Sequence, residues 1–250
     1  MATVMIVIIR NPKITLMPLE PITPSMLYKL LSWMSPGFPI GAYAYSHGIE
    51  FAVESGQVTD EKTLRDWIEG ILMYGTGRTD TIFLASAWRA VCDGDEALLK
   101  TTAELAAAYR GTAELALENE AQGVAFIDAV SAAWPELELE RWTLLLTHSE
   151  ITLSYPVAVA VATGSAGIPL ADSLTAYLHS VAANLVSAGV RLIPLGQTSG
   201  QRILAQLQRP VAESAENNAV QSLEDLGSAA PMIDWTSAQH ETQYTRLFRS

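Results

Sequence analysis

Ser46, His47 and Glu50 bring a hydroxyl, an imidazole and a carboxylate together within five residues. Such a set can relay a proton or ligate a metal, and the same residue types can equally pin a loop to a helix start by hydrogen bonding. Catalysis would require a nucleophile or an acid–base pair that converges in space, yet the four histidines, His47, His148, His179 and His240, are widely separated and lie in no recognised catalytic signature. His240-Glu241-x-x-Tyr244 is close to a zinc-protease helix, but Tyr244 stands where the second histidine ligand is needed. Cys92 is the one cysteine, so no local Cys/His set of four can be assembled. Gly75 to Asp80 has no strand before it, and Gly196 to Arg202 lacks the Lys-Ser/Thr of a phosphate-binding loop. The expectation is no catalytic residue, no metal site and no cofactor held tightly by this chain alone.

What the sequence offers instead is contact chemistry. Tyr43 and Tyr45 lie among Gly41 and Gly48, whose freedom at positive φ and the fixed φ of Pro39 would set a rigid aromatic ledge. Gln197, Gln201 and Arg202 read either as caps for a helix beginning near Gly196 or as polar contacts on the same face. The last residues, His240, Glu241, Gln243, Tyr244, Arg246, Phe248 and Arg249 among them, interleave aromatics with arginines. That mixture is enriched at protein–protein hot spots and unlike a free tail. It reads as a ligand for another protein, or as a final amphipathic turn on its own core.

Helical periodicity must position these segments. After Asp60, a candidate N-cap, Leu64, Trp67, Ile68, Ile71 and Leu72 fall on one face while Glu61, Lys62, Arg65, Asp66 and Glu69 fall on the other, and Gly75 ends the helix. Further helices are expected at 28–34, 80–92, in two pieces divided near Gly111 across 95–133, and at 137–150, 157–163, 171–192 and 197–208. Period-two alternation is confined to the first fifteen residues, so the chain is expected to be all-α, a single-domain bundle of about eight to ten helices. Residues 1–25 would be an extension, 26–230 the helical domain with a weak helix or flexible approach over 210–230, and 231–250 a tail that contributes little to the fold. Leu174, Tyr177, Leu178, Val181 and Leu185 form a stripe fit for the core or for a homodimer seam.

The formal net charge of -12 argues against nucleic acid, whose phosphates require a basic face. Eleven acidic side chains lie between Asp95 and Glu150 against Lys100, Arg110 and Arg141, a solvated face or a dock for a basic partner. A lone cysteine, read as a small buried residue, excludes an intrachain disulfide and fits a reducing compartment. The apolar run Val4 to Ile9 lacks the flanks of a signal peptide. The uncharged stretch Ile151 to Ala171 is broken by Pro156, Gly164, Gly167 and Pro169, so it reads as a helix buried in protein and not in a membrane.

Pro36 to Glu50, with its Pro-x-Gly pair, aromatics and Ser-His-Gly-x-Glu, resembles the signature loop of the urease accessory protein F family. Val190 to Arg202, containing Arg-x-x-Pro-Leu-Gly-Gln, and the closing residues resemble two further segments of that family, in family order over roughly residues 26 to 250. The resemblance implies an all-helical, cytoplasmic, non-catalytic maturation factor. It would join a D- or H-type accessory protein, recruit and regulate a nickel-carrying GTPase of the G type, and dock on apo-urease, with nickel and GTP handled by the complex. It also implies a homodimer through C-terminal helices, with Tyr177 as a guessed seam residue. Two other readings stay open: a strict GTPase-activating protein using Arg191, Arg202 or Arg246 as a finger, and a helical enzyme using Glu50, His47 and a tyrosine.

Overall fold

The computed structural model describes residues 21–250. Among them run α1 (Pro24–Trp33), α2 (Ile49–Glu54), α3 (Glu61–Tyr74), α4 (Thr76–Asp93), α5 (Glu96–Ala108), α6 (Ala113–Ala133), α7 (Leu137–His148), α8 (Tyr155–Ser165), α9 (Leu170–Leu192), α10 (Gln197–Asn218) and α11 (Pro231–His240), with 3-10 turns at Ala42–Ala44 and Leu223–Asp225 and no strand. The fold is an all-α single domain. The period-two run and the apolar residues Val4 to Ile9 lie outside the described residues.

The centre of the bundle is α8, wrapped by α4, α6, α7 and α9. Its alternating alanines and valines carry no charge, and Val157 to Ala162 are at most 2% exposed, so the uncharged stretch is a helix buried within protein. Small residues make that burial close-packed: a Cβ on Gly123 of α6 would lie 2.2 Å from the Leu153 carbonyl oxygen. At the head of α8, Asn119 accepts the Tyr155 N–H at 3.0 Å and satisfies a donor that the helix cannot.

Helix α3 follows its sequence pattern closely. Asp60 accepts the Thr63 N–H at 2.8 Å while Thr63 Oγ1 accepts the Asp60 N–H at 3.0 Å, a reciprocal cap, and Leu64, Ile68, Ile71 and Leu72 are fully buried. Gly75 ends it as expected, and α4 starts at once with Thr76.

Several expectations are corrected. The helical domain begins before residue 26, because Thr23 caps α1 by accepting the Met26 N–H. Helix α10 does not stop near residue 208 but continues through Pro210 to Asn218. An interior proline costs a helix about 3 kcal/mol, and packing offsets it here: Leu207, Pro210 and Val211 are buried, and Asn218 Nδ2 donates to Thr81 Oγ1 of α4 at 2.8 Å.

The segment 219–227 is pinned to α4. Arg78 donates to the carbonyls of Asp225 and Gly227 at 2.9 Å, and Arg89 donates to those of Ala219 and Gln221. Cys92 is exposed, since it falls on the outer side of the last turn of α4 while Leu84, Ala87 and Val91 face inward. Partial burial of its sulfur and the charge of Asp93 push the thiol up to about 11, so it stays protonated.

Tyr177 is no seam residue. It is 1% exposed in the core of its own chain, where its hydroxyl donates to Asp80 Oδ2 at 2.8 Å. Burial and the Asp80 charge hold that phenol well above its usual range. The tail is likewise part of the fold, because α11 packs against α2 and carries the chain back into the bundle.

Candidate functional site

The loop 41–50 and the tail 241–250 form one surface, each holding the other. The loop turns twice through left-handed glycines, Gly41 at φ 71° and Gly48 at φ 78°. Gly48 is required for a second reason, since a Cβ there would lie 2.8 Å from the Ser237 backbone nitrogen of α11. His47 itself has φ 59°, and its Nε2 hydrogen-bonds Thr76 Oγ1 at 2.7 Å. It therefore pins the loop to the start of α4.

Glu50 then anchors the tail from the first turn of α2. Its carboxylate accepts the N–H groups of Leu247 at 2.6 Å and Phe248 at 2.9 Å, and it lies 3.1 Å from His240 Nε2. The other ring nitrogen, Nδ1, lies 2.7 Å from Glu114 Oε2 at the start of α6, and Glu114 Oε1 accepts from Arg246 Nη1 at 2.6 Å.

Further along, Ser250 Oγ donates to Glu118 Oε2 at 2.6 Å and the Ser46 N–H donates to the Ser250 backbone oxygen at 2.8 Å. Burial opposes ionisation of Glu118, but His47, Ser250 and the charge of Arg110 outweigh it and hold the carboxyl below its ordinary range. The strap is closed by Arg249 N–H donating to the Ala44 carbonyl at 2.9 Å. Gln243 bonds Glu54, and Glu241 accepts the Ala113 N–H at 2.8 Å, capping α6.

Arg191 completes the arrangement from the last turn of α9. Its guanidinium lies 4.3 Å from the Phe248 ring centroid and 5.4 Å from that of Tyr43, and Nη2 donates to the Tyr43 carbonyl at 2.7 Å. Arg202 forks onto Glu61 at 2.8 and 3.1 Å and touches Ser199, away from the strap. Gln197 and Gln201 are exposed, and Gly196, not a glutamine, occupies the cap of α10.

The candidate residues thus separate into two kinds. Tyr43 (70% exposed), Tyr244 (fully exposed) and Leu247 (65%) project outward, as do Glu241, Arg246 and Arg249. Tyr45, Ser46, Glu50, His240 and Phe248 are buried, so the paired-tyrosine ledge reduces to Tyr43 and the buried set supports the surface from beneath. Tyr45 turns inward because the 3-10 turn Ala42–Ala44 ends there and the extended backbone reverses its side chain relative to Tyr43.

The sequence reading missed Glu114 and Glu118 as anchors. Their spacing of four on an amphipathic helix, which puts both carboxylates on one face, was the available signal. Behind the strap lies a cavity of about 300 Å³ walled by Trp33, Phe38 and Ile40. Asp80 and Arg110, paired at 2.8 Å, lie on its lining. Among the described residues no group of three or more His, Cys, Asp or Glu is arranged to hold a metal ion, and no helix is long and apolar enough to cross a membrane.

The strap is braced from beneath and faces solvent, and comparison with known proteins gives the family. A family model described as UreF matches residues 58–208. The chain is 48% identical to the urease accessory protein UreF of Rhodopseudomonas palustris strain BisB5 over 233 residues, covering 93% of this chain and 95% of that protein. It is 50% identical to the protein of the same name from Granulibacter bethesdensis over 224 residues, 90% of this chain and 94% of the relative, and 48% identical to that of Bradyrhizobium diazoefficiens over 224 residues, 90% and 91%. The chain belongs to the urease accessory protein UreF family.

Proposed function

We propose that this chain is a non-catalytic maturation factor for urease that joins a D- or H-type accessory protein through the strap and recruits and regulates a nickel-carrying G-type GTPase on the same assembly, which docks on apo-urease. Nickel and GTP are cargo and substrate of the complex and not resident groups of this chain. The protein works in the cytoplasm, as a homodimer within the complex. The observation that carries the reading is the braced strap: Tyr43, Tyr244 and Leu247 are exposed while Glu50, His240 and Phe248 fix the backbone beneath them. A preorganised surface loses less entropy on binding than a mobile tail, and exposed aromatics beside arginines are the side chains that fill a partner's pockets.

The strict arginine-finger alternative is disfavoured because Arg191, Arg202 and Arg246 are each engaged within the chain, on Tyr43 and Phe248, on Glu61 and on Glu114. An acid–base set of His47 and Glu50 is disfavoured because Glu50 is buried and already accepts two backbone N–H groups. Size-exclusion chromatography with mass determination, using purified D- and G-type proteins, tests the proposal. The expected result is a complex of this chain with the D-type protein, with the GTPase entering only when this chain is present. A chain that elutes alone with both partners supplied overturns it.

A further inference from the structure

His240 has zero exposure and a carboxylate oxygen opposite each ring nitrogen, Glu114 at Nδ1 and Glu50 at Nε2. A neutral imidazole carries one N–H and one lone pair, so in this arrangement a lone pair would face a buried carboxylate. Only the imidazolium donates to both. With Arg246 on the other oxygen of Glu114, the cluster then holds two cations and two anions and is neutral, the condition for burying charge at tolerable cost. A neutral ring would leave a buried net negative charge beneath the strap.

We infer that His240 acts as a positioning residue, its imidazolium clamped between Glu50 and Glu114 so that Glu50 is held in place to bind the Leu247 and Phe248 N–H groups and shape the tail for its partner. This rests on the docking role of the strap proposed above. The charged groups around the ring are Glu50 from α2, Glu114 from α6 and Arg246 from the tail, with Glu241 just after α11 and the His47–Glu118 pair beyond.

The test uses the full chain, free and bound to its D-type partner, with nitrogen chemical shifts of the His240 ring and hydrogen exchange at Leu247 and Phe248 measured at one neutral pH. The expected result is a ring carrying both protons where these amides are protected, and exchange that quickens by about tenfold or more in His240→Gln and in Glu50→Gln, which keeps the shape but removes one anion, but not in His47→Gln. Amides protected over a neutral ring, or exchange unchanged in both His240→Gln and Glu50→Gln, overturn the inference. Ring and amide measurements on the free chain involve no partner, so their failure is distinct from a failure of the docking role, which shows only as absent complex.

Discussion

Arg191 and Phe248 are stacked, with the guanidinium carbon 4.3 Å from the ring centroid, so the last turn of α9 holds down the end of the tail. The same guanidinium donates to the Tyr43 carbonyl and therefore joins loop, helix and tail at one point. Arg191→Ala should lose a stacked cation–π contact and a hydrogen bond, about 1–2 kcal/mol together. Urea denaturation should show that loss, with protease cleavage in the tail rising in parallel. Unchanged stability and cleavage would mean that the stacking is incidental.

Glu50→Ala should be more damaging. It strips a buried carboxylate from His240 and from two backbone N–H groups, and breaking a buried pair in this way costs about 3–5 kcal/mol. The midpoint of chemical denaturation should fall accordingly, and binding of both accessory partners should fail with it. A stable variant that loses only the GTPase would show that Glu50 is a contact and not a support.

Tyr244→Ala and Leu247→Ala should separate function from folding. Both side chains are exposed, and surface substitutions of this kind usually change stability by no more than about 0.5 kcal/mol. Melting should be preserved while affinity for the D-type partner, measured by titration calorimetry, falls by about tenfold or more if either residue is a hot spot. Normal affinity in the double variant moves the docking surface away from the strap.

Glu118 sets an acid limit. Its carboxyl is depressed in the folded protein, so its contribution is fully present above the ordinary glutamate range and is lost as pH falls through its lowered value. Between pH-neutral and acidic buffers the parent protein should lose more stability than Glu118→Gln, whose amide does not titrate. Parallel acid profiles for the two would remove Glu118 as a source of the acid sensitivity.

Gly48→Ala combines strain at φ 78° with a collision against the Ser237 backbone nitrogen. Backbone cannot move aside as a flexible side chain can, so α11 must shift off α2, and a loss of at least about 1 kcal/mol is expected. Gly41→Ala, at φ 71° with open space around its Cβ, carries the strain alone and is the control. Equal losses in the two variants would show that the contact with α11 is not tight.

The sequence carried the helices whose stability is local. The Asp60 cap and the spacing of Leu64, Ile68 and Ile71 specify α3 without reference to the rest of the chain, and the uncharged run of small and branched residues specifies a buried α8. It did not carry α10 beyond Pro210 or the fixing of 219–227, because both depend on partners far along the chain, Thr81 for Asn218 and the Arg78 and Arg89 side chains for the connection. At the site, the composition of the tail gave its amphipathic character but not which face is inward. Phe248 is buried and Tyr244 is free because Arg191 and Glu50 lie beneath one and not the other. The inward turn of Tyr45 was hidden for the same reason: a single 3-10 turn decides it.

The bond between Ser46 and the Ser250 backbone joins positions 204 residues apart in sequence. Contacts of such separation carry a large closure entropy and form late, after the intervening elements have brought the two ends within reach. Closure of the strap draws on α4, which presents Thr76 to His47, on α6, which presents Glu114 and Glu118, and on α9, which presents Arg191. A partner that recognises the closed strap would therefore read the packing of these helices through one small window.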